Sequence, residues 1–437
     1  MARRINQSGK VNRKTRRDFM KNTGAIAASV GVTTLAPGRT LAKALGANDR
    51  INIGFIGCGN RTGTHLSRLV PMKENGENIE FVAFNDAYRP RMEWMVEKFS
   101  GKSYFDYREL LADRNVDAVF ICTPDHHHGY QTIDAVKAGK DVYCEKPITH
   151  WRQFELAKKV VEVVAESDRV LLLGTQYMSD SAYRQARKLI EDGLIGQPIH
   201  AECGYFRLGD WAERGMRIDD PDAKPGPNLN WEAFLGDSPK RPFDVSRFFR
   251  WRMYMDYSGG PATDNYPHLM TQVIMMLGVK FPSKVVATGG IFRYPEREVP
   301  DTFNILIDYP EKISLVVVGT QGNNHQGNWG YYPGRSPVIR GWEGTLTLEG
   351  NIIRYTPARG RQQPLLGKKE MTFPVEHPAN MERYYGEFFS CIRNRKKQTA
   401  SPADLAYYVQ TPIHMAMVSW LSDKVARFDA QKEKVIL

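Results

Sequence analysis

The chain has 437 residues, 42% hydrophobic and 25% charged, a globular composition with room for two domains that each bury a core. No apolar run approaches the roughly 20 residues a membrane-spanning helix needs. The formal net charge of +11 resembles a nucleic-acid signal, but ten Lys/Arg against the single acid Asp18 put +9 of it in residues 1–44, and the remaining +2 exerts no general pull on polyphosphate.

Residues 1–44 read as an export leader. Arg16-Arg17-Asp18-Phe19-Met20-Lys21 precedes an apolar, small-residue stretch from Gly24 to Leu35, and Ala42-Lys43-Ala44 offers a cleavage site. Basic, apolar and small-residue parts in that order make a secretory signal, and the apolar part is too short to anchor a helix. The paired arginines resemble the twin-arginine signal, which implies the Tat machinery as a partner and a periplasmic or otherwise exported chain. That route carries folded proteins, so a cofactor could be loaded first. The five cysteines (Cys58, Cys122, Cys144, Cys203, Cys391) form no C-x-x-C pair and sit mostly in apolar runs, so free buried thiols are expected.

Residues 45–176 read as a dinucleotide-binding domain, and 177–437 as a second, substrate-binding and oligomerisation domain. Ile51 to Ile56 is a short buried strand. It runs into Gly57-Cys58-Gly59-Asn60-Arg61-Thr62-Gly63 and a helical stretch from Thr64 to about Val70. In this G-x-G-x-x-x-G turn Gly57 permits the tight bend and Gly59 lets the backbone approach a pyrophosphate, while the helix N-terminus supplies unpaired N–H groups. A second strand, Ile79 to Phe84, leads to Asp86, where a ribose diol would be held; its carboxylate would repel a 2′-phosphate and so favours NAD over NADP, although Arg89 and Arg91 stand nearby. Further alternation follows: a helix around Tyr107, a strand Asp117 to Cys122, Thr123-Pro124-Asp125-His126-His127-His128, a helix from about Tyr130, a strand Asp141 to Cys144, Glu145-Lys146-Pro147, and a strand Arg169 to Gly174. Strands alternating with helices predict a doubly wound parallel sheet, whose ligands bind at the strands' C-terminal ends. The glycine turn, Asp86, Thr123, Pro124, His128, Glu145 and Lys146 all fall at that edge. Three successive histidines point in different directions in any regular structure, so no metal site is expected.

These segments together resemble the glucose–fructose oxidoreductase/inositol dehydrogenase (Gfo/Idh/MocA) family: GFIGCGN, VDAVFICTPDHHH, Glu145-Lys146-Pro147, Gly174-Thr175-Gln176, Trp251-Arg252 and the run Gly259-Gly260 to Asp264 and His268. The resemblance spans roughly residues 50–430. It implies a second domain with an open, mostly antiparallel sheet that often makes an oligomer interface, a nicotinamide cofactor, and a sugar-like substrate. Ile199–Arg207, Ser283–Phe292, Thr302–Tyr309, Ile313–Thr320 and Gly344–Leu348 alternate or run apolar as such strands do, and 404–425 reads as a closing helix broken near Pro412.

Hydride transfer from an alcohol needs the carbon over the ring, a base for the hydroxyl proton and a stabilised oxyanion. Carried over by motif, Lys146 polarises the oxygen, His268 is the acid/base and Asp264 orients the substrate; at i and i+4 on one helix Asp264 and His268 would share a face. Cofactor contacts are expected from Gly57, Gly59, Asn60, Arg61, Gly63, Asp86, Thr123, Pro124, His128, Glu145, Lys146, Gln176 and Arg252. One departure stands out: where family members often carry an Asp three residues after the histidine, this chain has Thr271. The reading is therefore an exported NAD(P)-dependent oxidoreductase of a sugar, polyol or glycoside, with its cofactor tightly held because free nicotinamide is scarce outside the cytoplasm. Two alternatives use the same fold: a redox-assisted glycosidase, disfavoured by the intact Glu145-Lys146-Pro147, and a non-catalytic sugar or cofactor sensor, disfavoured by Lys146, Asp264 and His268.

Overall fold

The computed structural model describes residues 49–209, 216–325, 337–360 and 367–437. Residues 1–44, read above as an export leader, lie outside them. Six parallel strands, β1 (Ile51–Ile56), β2 (Ile79–Asn85), β3 (Lys102–Tyr104), β4 (Ala118–Ile121), β5 (Asp141–Cys144) and β6 (Leu171–Leu173), lie in the order β3-β2-β1-β4-β5-β6. Every residue of β4, β5 and β6 is buried, as expected of a parallel sheet covered on both faces. The crossovers are helices α1 (Asn60–Glu74), α2 (Arg89–Phe99), α3 (Tyr107–Ala112), α4 (Asp125–Lys137) and α5 (Phe154–Glu166). In α5, Ala157, Val160, Val163 and Val164 recur at helical spacing and form the buried stripe. The strand order reverses between β1 and β4, where a doubly wound sheet opens its ligand crevice.

A helix α6 (Ala182–Glu191) leads into the second sheet, which has ten strands: β7 (Pro198–Phe206), β8 (Lys284–Gly290), β9 (Thr302–Tyr309), β10 (Ile313–Thr320), β11 (Val338–Gly341), β12 (Gly344–Glu349), β13 (Ile352–Pro357), β14 (Met371–Pro374), β15 (Ala426–Asp429) and β16 (Lys434–Ile436). Among the described residues of this sheet β7 and β10 pair in parallel and the other ladders are antiparallel. In β10 buried and half-buried residues alternate strictly, so one face is packed and the other is not.

Between β7 and β8 the chain forms a helical insertion, α7 (Trp231–Leu235), α8 (Val245–Phe249), α9 (Pro261–Asp264) and α10 (Tyr266–Leu277), with its own apolar cluster around Tyr88, Trp231, Phe234 and Phe248. Two late helices, α11 (Met381–Asn394) and α12 (Ala403–Ser422), return to the first sheet: Leu173 N–H donates to Ser401 O over 3.0 Å, and the Arg395 guanidinium meets Asp141 at 2.9 Å. Contrary to the sequence expectation, α12 runs unbroken through Pro412. A proline removes one N–H and crowds one carbonyl, but burial on nearly all sides holds this helix together. Among the described residues no helix is long and apolar enough to cross a membrane. All five cysteines are free, three of them buried.

Candidate active site

A cavity of about 1100 Å³ runs along the C-terminal edge of the first sheet, from Asp86 and Arg91 past Gly57 and Gly59 to Lys146, Arg207, Arg252 and Asp264. Its first half is made by backbone. Gly57 has φ +89°, and a Cβ there would stand 2.9 Å from the Cys122 carbonyl, so only glycine fits between β1 and β4. Helix α1 begins at Gly59 with no capping side chain and no acid in its first turn, which leaves its N–H groups directed at the crevice. Asp86 accepts from the N–H of Cys58 at 2.7 Å and of Tyr88 at 2.8 Å, which fixes its carboxylate at the cavity wall. These residues fit a dinucleotide: a Cβ-free cradle and open helix N-terminus for the pyrophosphate, and a fixed acid for a ribose. Asn60, Thr123 and Pro124 line the same wall. Gly63 does not; it lies inside α1, starting four residues earlier than expected, and a Cβ there would meet nothing within 4 Å.

Arg61, Glu145 and His128 line the cavity and also brace its wall. Glu145 is buried and gathers Arg61 at 2.7 Å, His65 at 3.0 Å and the Gln176 amide at 3.1 Å. Burial alone would raise its carboxyl, but the Arg61 charge and the His65 hydrogen bond outweigh it and hold the group well below the usual carboxylate range. Gln176 is not among the residues lining the cavity; it reaches Glu145 and the Tyr143 hydroxyl instead. His128 spends both ring nitrogens, on Pro147 O at 2.6 Å and Thr123 O at 2.8 Å, tying the ends of β4 and β5 together. His126 and His127 both reach Phe234 O at 2.8 Å, anchoring the insertion; among the described residues no group of side chains could hold a metal ion.

The second half of the cavity is made by charge. Lys146 Nζ lies 2.9 Å from Asp264 Oδ1. Arg207 stands 3.3 Å from Asp264 Oδ2, and Arg252 Nη1 lies 3.6 Å from Oδ1. Burial opposes the Asp264 charge, yet Lys146, Arg252 and Arg207 hold its carboxyl far below the ordinary range. Arg252 lies over the Trp251 ring at 4.1 Å and 3.8 Å from Asp125, a carboxylate 1% exposed whose pKa burial raises.

Asp264 ends α9 and His268 lies in the first turn of α10, with Asn265 between the two helices in right-handed helical conformation. No hydrogen bond joins the two side chains, and His268 is not among the residues lining the cavity. Its Nδ1 is buried without a hydrogen-bond partner, and the Tyr177 ring meets it edge-on at 6.0 Å. Burial, then the Lys146 charge, push its pKa down to about 3. Thr271 is buried and donates its hydroxyl to Pro267 O, so it is spent on its own helix. Sequence reasoning gave no role to Arg207 or Asp125: Arg207 carries no local motif, and Asp125 stands inside the Thr123-Pro124-Asp125 run without a signal that separates it from its neighbours.

A family model described as the Gfo/Idh/MocA oxidoreductase family, NAD-binding Rossmann fold, matches residues 51–175, and its companion C-terminal alpha/beta model matches residues 179–336. The chain belongs to the Gfo/Idh/MocA family. Its first domain is thus an NAD-binding Rossmann domain, as the sequence resemblance implied. Among curated relatives, a 1,5-anhydro-D-fructose reductase of Ensifer adhaerens is 34% identical over 194 residues, covering 44% of this chain and 56% of the relative. A myo-inositol 2-dehydrogenase of Thermotoga maritima is 31% identical over 206 residues, covering 45% and 54%. The matched region thus spans about half the length of these family members. Among solved structures, a levoglucosan dehydrogenase in complex with NADH and levoglucosan superposes with a TM-score of 0.61 at 18% identity, covering 89% of this chain and 99% of that one, which shows the shared fold.

Proposed function

We propose that the chain is an NAD-dependent dehydrogenase or reductase of sugar or polyol hydroxyls, exported through the twin-arginine route and working in the periplasm with its cofactor tightly held. The observation that carries this reading is the Lys146–Asp264 pair at the end of a cavity whose other end is the glycine cradle and Asp86. The two relatives, matched over about half their length, act by name on anhydrofructose and inositol, both polyhydroxylated rings, which supports the substrate class. Bound nicotinamide supplies the hydride acceptor or donor.

The protein's own part follows from charge. Lys146 donates to the reacting oxygen and stabilises the negative charge that develops as the hydroxyl proton leaves. Asp264 fixes the ammonium and presents its second oxygen, which Arg207 steadies, to a neighbouring hydroxyl. His268 is assigned the proton on the family motif: its ring, neutral and in the field of Lys146 and Asp264, stands outside the cavity lining, so the proton reaches it through an intervening group. Arg252, flattened on Trp251, closes the wall above the pair.

Two measurements test the reading together. Mass spectrometry of nucleotide released from denatured, freshly purified chain is expected to give stoichiometric NAD(H), and a panel of sugars and polyols should then change the absorbance of the bound nicotinamide. A chain that carries no nucleotide and binds neither NAD nor NADP is not this enzyme.

A further inference from the structure

At the adenosine end of the cavity an acid, a cation and a second acid meet, and the chemistry above uses only the first. Arg91, at the start of α2, lays its guanidinium against Gly59, where a Cβ would come within 3.4 Å of Nη1. It also lies over the Phe249 ring at 5.4 Å and the Tyr88 ring at 5.9 Å. Asp219, from the insertion of the second domain, takes it from the other side: one carboxylate oxygen lies 2.6 Å from Arg91 Nη2 and 2.8 Å from Nε. Asp86 completes the group, fixed by the Cys58 and Tyr88 amides.

A dinucleotide laid along the strand ends puts its adenosine ribose at Asp86. NAD and NADP differ there and nowhere else, by a phosphate on the 2′-oxygen. A guanidinium fork beside that oxygen is a ready phosphate ligand, since its N–H groups match phosphate oxygens two at a time. In this chain the fork is occupied, and the three side chains sum to −1.

We propose that Asp219 is a specificity-determining residue: by occupying the Arg91 fork it denies the guanidinium to a 2′-phosphate and makes the chain prefer NAD. The inference rests on the dehydrogenase reading and adds the residue that selects its cofactor. The segment that carries Asp219 meets the first domain at points besides the ion pair: the Tyr88 hydroxyl donates to Asp220 Oδ2 at 3.4 Å, and further along Arg89 N–H donates to Asn228 O at 2.9 Å and Asn230 N–H to Ala87 O at 2.8 Å. The side chain itself is exposed, so Asp219→Asn leaves the fold alone.

Affinities of the full chain, stripped of nucleotide, for NADH and NADPH by fluorescence titration decide the matter. The unaltered chain should prefer NADH. Asp219→Asn should cut that preference about tenfold by tightening NADPH, and Asp219→Glu should largely keep it. Adding Arg91→Ala to Asp219→Asn should take the NADPH gain away again. An unchanged ratio, two affinities that fall by the same factor, or an unaltered chain that prefers NADPH each overturn the proposal. Binding of neither dinucleotide by the unaltered chain overturns the dehydrogenase reading beneath it, and is told apart from the other failures by that result alone.

Discussion

The two ends of the cavity are built in different ways. The nucleotide end is made from neighbours in sequence: Gly57, Gly59 and the N-terminus of α1 lie in one turn, and Asp86 sits at the tip of the next strand. The reacting end is made from strangers: Lys146 and Asp264 are 118 residues apart, and Arg207 comes from a third place. Backbone does the work in the first half and side-chain charge in the second. A backbone cradle tolerates no change in its glycine, while the side chains around it tune which dinucleotide it takes. A charge site fails when any one member is removed, because the rest are left buried and unbalanced.

The sharpest break in this contrast is Lys146→Ala. It removes the donor to the reacting oxygen and should lower kcat by about 10²–10³-fold while NADH affinity changes little, measured by steady-state kinetics and titration. Next comes Asp264→Asn, which leaves Lys146, Arg207 and Arg252 facing one another. A loss of about 3 kcal/mol of stability is expected in chemical denaturation, with binding of ADP, which touches only the nucleotide end, retained. Gly57→Ala attacks the opposite end. Its Cβ meets the Cys122 carbonyl and the residue must hold a positive φ, so a cost of about 1–3 kcal/mol with weakened dinucleotide binding is expected.

Smaller effects sharpen the comparison. His150 is fully buried, and burial, then the Arg152 charge, lower its pKa to about 3, from an ordinary 6.5. The folded state therefore binds fewer protons than the unfolded one between those values. Its contribution is complete above pH 6.5 and is lost as the pH falls toward 3. Melting temperature should drop across that window, and His150→Phe should flatten the slope by up to about 1.4 kcal/mol per pH unit. His268, also lowered to about 3, predicts an acid limb of kcat/KM well below 6.5; a limb at 6.5 would remove it as the base. Least of all, Thr271→Val should cost about 1 kcal/mol and leave KM for substrate unchanged, since its hydroxyl already serves Pro267.

The same contrast explains what could be read beforehand. The parallel sheet, the glycine turn and Asp86 were legible because each is written in adjacent residues whose spacing has a physical meaning. Lys146 and Asp264 were legible only through a family motif, and their direct contact was not. Arg207 and Arg252 converge on Asp264 through tertiary packing, which no spacing encodes. Asp264 and His268, expected on one helix, stand at the end of α9 and the start of α10 with Asn265 between them. Glu145, Gln176 and His128 were found by their position at the sheet edge, but position does not say whether a side chain faces the ligand or holds its neighbour.

The return of α11 and α12 to the first sheet sets an order of events during synthesis. Strand β6 is an edge, and it is covered by chain made more than 210 residues later: Thr399 Oγ1 donates to Leu171 O across 228 positions, and Tyr384 donates its hydroxyl to Leu173 O across 211. At roughly 5–20 residues per second the ribosome leaves that edge open for about 10–50 s. The half that is made first is thus completed last, and for that interval the growing polypeptide presents an unpaired strand to any chaperone, or any other nascent chain, within reach.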